Sequence, residues 1–102
     1  MRKSSILVFV LMLVVLFAAF STVAAQDVVT IGVFQPQTGE NGGGGFQEVL
    51  GTRYANTVYP TIEVGGKTYT IQLYEVDNKS DKTEAVTAAQ NLVSKNVNAV
   101  IG

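Results

Sequence analysis

The sequence begins with one unbroken apolar segment and continues with shorter segments whose apolar positions follow two different periods. Residues 6–20 carry no polar side chain. Residues 28–34 form a second apolar run, rich in β-branched side chains, and residues 35–45 are polar and rich in glycine. This change predicts a buried strand that leads into a loop. Ligands of open α/β sheets lie outside the carboxyl ends of such strands, so this loop is the first place to look for a site.

The period changes at Phe46, where a helix is predicted to begin. Apolar residues then recur at the spacing of an amphipathic helix, at Phe46, Val49, Leu50, Tyr54 and Val58. Pro60 is predicted to end this helix, because the residue before a proline is disfavoured in helical conformation. Gly51 interrupts the helix at a cost of about 1 kcal/mol relative to alanine. We therefore expect Gly51 and Ala55 to face the sheet, where small residues permit close packing.

The rest of the chain predicts two more strands and a second helix. Residues 61–64 and 67–77 alternate in polarity and are joined by Gly65 and Gly66, which predicts a hairpin-like reversal that leads into a long strand. Asp81 and Glu84 are spaced as a capping box at the start of the second helix. Residues 99–101 begin the last strand.

The resulting order of strand, helix, strand, helix, strand predicts an α/β fold with a doubly wound parallel sheet. Right-handed crossovers place helices on both faces if the last strand lies on the opposite side of the first from the long strand. A separate domain of this size would bury only about 60% of its unfolded surface. We therefore interpret residues 26–102 as the first β-α-β-α-β portion of a larger domain.

Residues 1–25 have the three-part layout of a secretory signal peptide. Arg2 and Lys3 precede the apolar core, and small residues precede Gln26. Cleavage is predicted after Ala25, which gives a periplasmic or extracellular protein. The alternative is an uncleaved membrane anchor, although the apolar core is shorter than the roughly 20 residues of a spanning helix.

Composition excludes several kinds of chemistry. The chain has no Cys and no His, so a disulfide framework, a thiolate metal site and His-based acid/base catalysis are excluded. Beyond residue 25 it carries five basic and eight acidic side chains, a balance that does not favour nucleic acid. We therefore predict no catalytic residue, no metal, no cofactor and no enzymatic activity.

Three constellations resemble chemical sites but are better explained otherwise. The glycines of residues 39–45 follow a strand, as a phosphate-binding loop would, yet no G-x-G-x-x-G spacing fits them and no Gly-Lys-Ser/Thr follows. Glu75 and Asp77 share one face of a strand, but a solvated strand end explains them better than a catalytic pair. Capping likewise explains Asp81 and Glu84 better than metal binding.

The order and spacing of several segments resemble a known family. The segments are Thr30-Ile31-Gly32-Val33-Phe34-Gln35-Pro36-Gln37-Thr38-Gly39, Gly45, Gly51 with Ala55, Gly66-Lys67, Asp77, Ser80-Asp81, Glu84-Ala85-Val86, Ala88-Ala89, Leu92-Val93 and Ala99-Val100-Ile101-Gly102. Together they resemble the start of a branched-chain amino-acid-type substrate-binding protein of ABC transporters. The resemblance implies a type I periplasmic binding protein, in which two α/β lobes close on a small amino-acid-like ligand and deliver it to a membrane permease.

The resemblance also implies a set of ligand-binding residues in and after the first loop: Gln37, Thr38, Gly39, Gly44, Gly45 and Phe46. An aromatic residue often precedes the family glycine matched by Gly45, whereas this chain has Gly44 there. Because of that departure, the identity of the ligand stays open among branched-chain amino acids, amides, ureas and aromatic acids. Phe46 would then replace the missing aromatic side chain in the wall of the pocket. The family's main ligand anchors would follow Gly102, so the chain alone is expected to bind ligand poorly.

Two further functions stay open at this point. The first is a ligand-sensing ectodomain of the same fold, in which the apolar leader is retained as an anchor of a signalling protein. The second is an exported enzyme, which the absence of His, Cys and a nucleophile motif disfavours. Mature protein that starts at Gln26 and is released by osmotic shock would favour the transport receptor.

Overall fold

The computed structural model describes residues 2–18 and 27–102. Three helices and four strands follow one another along these residues. They are α1 (Arg2–Ala18), β1 (Val28–Gln35), α2 (Gly42–Val58), β2 (Thr61–Val64), β3 (Lys67–Asp77), α3 (Lys82–Ser94) and β4 (Ala99–Ile101).

The apolar leader forms helix α1, whose side chains are exposed over residues 2–12. Within residues 2–18 and 27–102, no helix combines the length and the apolar character that crossing a membrane requires. The predicted cleavage site after Ala25 lies outside the described residues. The signal peptide therefore stays a prediction.

The described strands form one four-stranded mixed sheet in the order β2-β3-β1-β4. β1 is parallel to both β3 and β4, which lie on its two sides, as the sequence predicts. β2 is antiparallel to β3, because Gly65 and Gly66 turn the chain back at once and no crossover helix separates the two strands. The predicted hairpin-like reversal is thus confirmed, and the sheet is mixed, not purely parallel as the predicted fold class has it.

Helices cover both faces of the sheet, as predicted. Alternate residues of β1 and β3 point to opposite sides: Ile31 and Leu73 lie beneath α2, and Phe34 and Tyr74 pack on the α3 side. On the α3 side, Val76, Ala88 and Leu92 form a buried cluster. The α2 helix contributes Val49, which is completely buried, and the β1 residue Val33 is almost as inaccessible.

Helix α2 differs from its predicted form in two respects. It begins at Gly42, not Phe46, so Gly42 to Gly45 form its first turn. Gly51 does not face the sheet, because a Cβ built on it meets no atom within 4 Å. Gly45 and Val49 are buried instead, and Ala55 lines the space between helix and sheet as expected. Leu50 and Tyr54 stay largely exposed, at 46% and 72%.

Candidate functional site

The candidate site lies where the parallel strands β1 and β3 end side by side. The register pairs Gln35 of β1 with Asp77 of β3. The β1–α2 loop (residues 36–41) and the β3–α3 loop (residues 78–81) both begin at this edge of the sheet. The first turn of α2 follows the β1–α2 loop directly. This is the edge at which ligands of open α/β sheets bind.

The carboxylate of Asp77 fixes the β1–α2 loop. Its Oδ1 accepts hydrogen bonds from the backbone N–H groups of Gln37 (2.8 Å), Lys79 (2.8 Å) and Thr38 (3.3 Å), and its Oδ2 accepts from the Thr38 hydroxyl (2.7 Å). Burial raises the pKa of Asp77, but the hydrogen bonds from Thr38, Gln37 and Lys79 outweigh it and hold the pKa at about 2. Asp77 is therefore a structural acceptor at a partly exposed strand end, a role that the sequence did not predict.

Ser80 makes the second connection between the two loops. Its hydroxyl donates to the Thr38 carbonyl (3.0 Å) and accepts from the Asn41 N–H (2.9 Å). Ser80 and Lys79 both have positive φ angles, of 58° and 54°, which cost energy for residues with a Cβ. We call the side chains of Asp77 and Ser80 the loop clamp, because together they hold the β1–α2 loop against the β3–α3 loop.

The first turn of α2 presents backbone donors at the same edge. Gly42 N–H donates to the Gly39 carbonyl and Gly45 N–H to the Asn41 carbonyl, each at 3.1 Å. Asn41 makes no side-chain cap, and the first turn holds no acidic residue. The N–H groups of Gly43 and Gly44 thus have no acceptor among the described residues, and both glycines are exposed. Such N–H groups at the positive end of a helix dipole favour an anionic partner.

The predicted ligand-binding residues lie together at this edge, but they differ in what they offer. The Gln37 N–H and the Thr38 hydroxyl are engaged by Asp77. A Cβ on Gly39 would overlap the Lys79 carbonyl and a Cβ on Gly45 would overlap Pro36, whereas Gly44 has open space around it and Phe46 is 40% exposed. Thr38 and Gly39 are exposed as well, and Gly45 is buried.

An ion pair beside Phe46 was not predicted from the sequence. Arg53 of α2 donates through Nε and Nη2 to the two oxygens of Glu75, each at 2.7 Å. The hydrogen bond with Arg53 lowers the pKa of Glu75, and the same bond raises the pKa of Arg53. The Arg53 guanidinium also lies 5.8 Å from the centre of the Phe46 ring. Glu75 and Asp77 therefore have separate partners and do not act on each other as a pair.

Asp81 caps α3 as predicted. Its Oδ1 accepts from the N–H groups of Thr83 (2.8 Å) and Glu84 (2.9 Å). The reciprocal half of the capping box is absent, because the Asp81 N–H donates to the Asn78 carbonyl (3.0 Å) and Glu84 pairs with Lys79 (3.4 Å). Among the described residues, no cluster of three or more acidic side chains is placed to hold a metal ion.

The site thus offers two free backbone N–H groups, a partly exposed aromatic ring and a loop held in one conformation by the loop clamp. These features suit a small ligand with an anionic group and an apolar part. The chain itself matches no protein-family model, no curated protein and no solved structure.

Proposed function

We propose that this chain forms part of an extracytoplasmic solute-binding receptor for a small amino-acid-like ligand, which it passes to an ABC permease. One observation carries the proposal: Gly43 and Gly44 are exposed at the carboxyl end of the parallel strands, and their N–H groups have no acceptor within residues 2–18 and 27–102. A carboxylate is the group of an amino acid that such donors bind, because the hydrogen bonds are charge-assisted and the helix dipole adds to them.

The loop clamp supports binding by preorganisation. Asp77 and Ser80 hold the β1–α2 loop through five hydrogen bonds to its residues, two of them to the side chain or carbonyl of Thr38. A loop that is already ordered loses little conformational entropy when a ligand binds. The proposed receptor therefore uses a rigid wall, and ligand capture comes from closure of a second lobe over it.

The fold class is compatible with the proposed type I periplasmic binding protein lobe. Three parallel strands lie in the order β3-β1-β4, with helices on both faces, and in the proposed receptor they would form the start of such a lobe. In the proposed receptor, the ligand stabilises the closed form because it contacts both lobes. One lobe supplies the Gly43 and Gly44 N–H donors and the Phe46 ring. Without contacts from the second lobe, we expect ligand to bind it weakly.

The hydroxyl groups at the edge give no support to a hydrolytic alternative. The Thr38 hydroxyl donates to Asp77, and the Ser80 hydroxyl donates to the Thr38 carbonyl. A nucleophilic hydroxyl needs a base that takes its proton, and the chain has no His for that role. We therefore propose binding and transport, not catalysis.

Export of the chain tests the proposal and separates it from the sensing ectodomain. The full chain is expressed in a bacterium with an outer membrane, and protein released by osmotic shock is sequenced from its amino terminus. We expect a start at Gln26, because the residues before it have the layout of a cleaved leader. Arg2→Glu with Lys3→Glu is the control, and precursor should accumulate when the positive start is lost.

Two results would contradict the transport receptor. Uncleaved chain in the membrane fraction would favour the sensing ectodomain, in which α1 stays attached. Uncleaved chain in the cytosol, with the same amount for the wild type and the control, would exclude both forms of the proposal.

A further inference from the structure

We draw no further inference here: the strongest candidate, the apolar groove between α3 and β4 that is lined by Phe34, Leu92, Val93, Val97 and Val100, carries nothing, because nothing in the part of the chain that the structure describes shows what covers it.

Discussion

Gly45→Ala is expected to destabilise the chain more than any other alanine substitution among the glycines of the first turn of α2. A Cβ on Gly45 would overlap the Pro36 carbonyl and lie 2.7 Å from Pro36 Cγ. Neither group moves easily, because one is backbone and the other belongs to a closed ring. Overpacking of this kind costs about 3 kcal/mol. That is a large share of the roughly 5–10 kcal/mol by which a small domain is stable.

Gly44→Ala is the matched control, one residue away in the same turn. A Cβ there meets no atom within 4 Å, so the substitution adds only helix propensity. We expect a gain of about 0.5–1 kcal/mol. Urea unfolding of both variants, followed by circular dichroism, measures the two effects. Equal stabilities would contradict the close approach of α2 to Pro36.

Asp77→Asn is expected to remove a large part of the acid sensitivity of the fold. The pKa of Asp77 is lowered from 3.8 to about 2, so the folded state favours the charged form. A lowered folded-state pKa contributes stability that is complete above pH 3.8 and is lost as the pH falls toward 2. Partial solvent exposure of this carboxylate reduces the contribution to about 1 kcal/mol.

Unfolding by urea at a series of pH values between 5 and 2 checks this expectation. The wild type should lose stability steeply over this range, and Asp77→Asn should lose less, although it starts from a lower stability near neutral pH. Glu40→Gln, an exposed carboxylate of the β1–α2 loop, is the control and should keep the wild-type slope. The account of the loop clamp fails if Asp77→Asn and the wild type have parallel pH profiles.

The alternation of strands and helices was predictable because local signals agree with the fold. Gly65 and Gly66 have φ angles of 59° and 78°, which suit glycine, and the hairpin lies where they stand. Asp81 caps α3 because its short carboxylate reaches the free N–H groups of the first turn. Signals of this kind act over a few residues and can be recognised in a single sequence.

The start of α2 was not predictable from local signals. Glycine is among the poorest helix formers, so four glycines in succession indicate a loop. In the structure they are helical because Gly45 packs against Pro36, where only a residue without a Cβ fits. The same contact places Val49 toward the sheet and leaves Gly51 outside it. Tertiary packing here overrides propensity.

The polar contacts of the site also depend on the register of the sheet. Asp77 reaches Thr38 across 39 positions of the sequence, and Glu75 reaches Arg53 across 22. The sequence placed Asp77 at the end of a strand but gave no means to identify its partners.

The central claim is that the Gly43 and Gly44 N–H groups bind a carboxylate. An NMR titration of the isotope-labelled full chain tests it most directly, with leucine against leucinamide and benzoate against benzamide, because each pair differs in the carboxylate. We predict that both carboxylates shift the Gly43 and Gly44 amide signals with a Kd of about 1 mM, whereas the amides leave them in place. Equal shifts with the amides, or no shift with either carboxylate, would contradict the account.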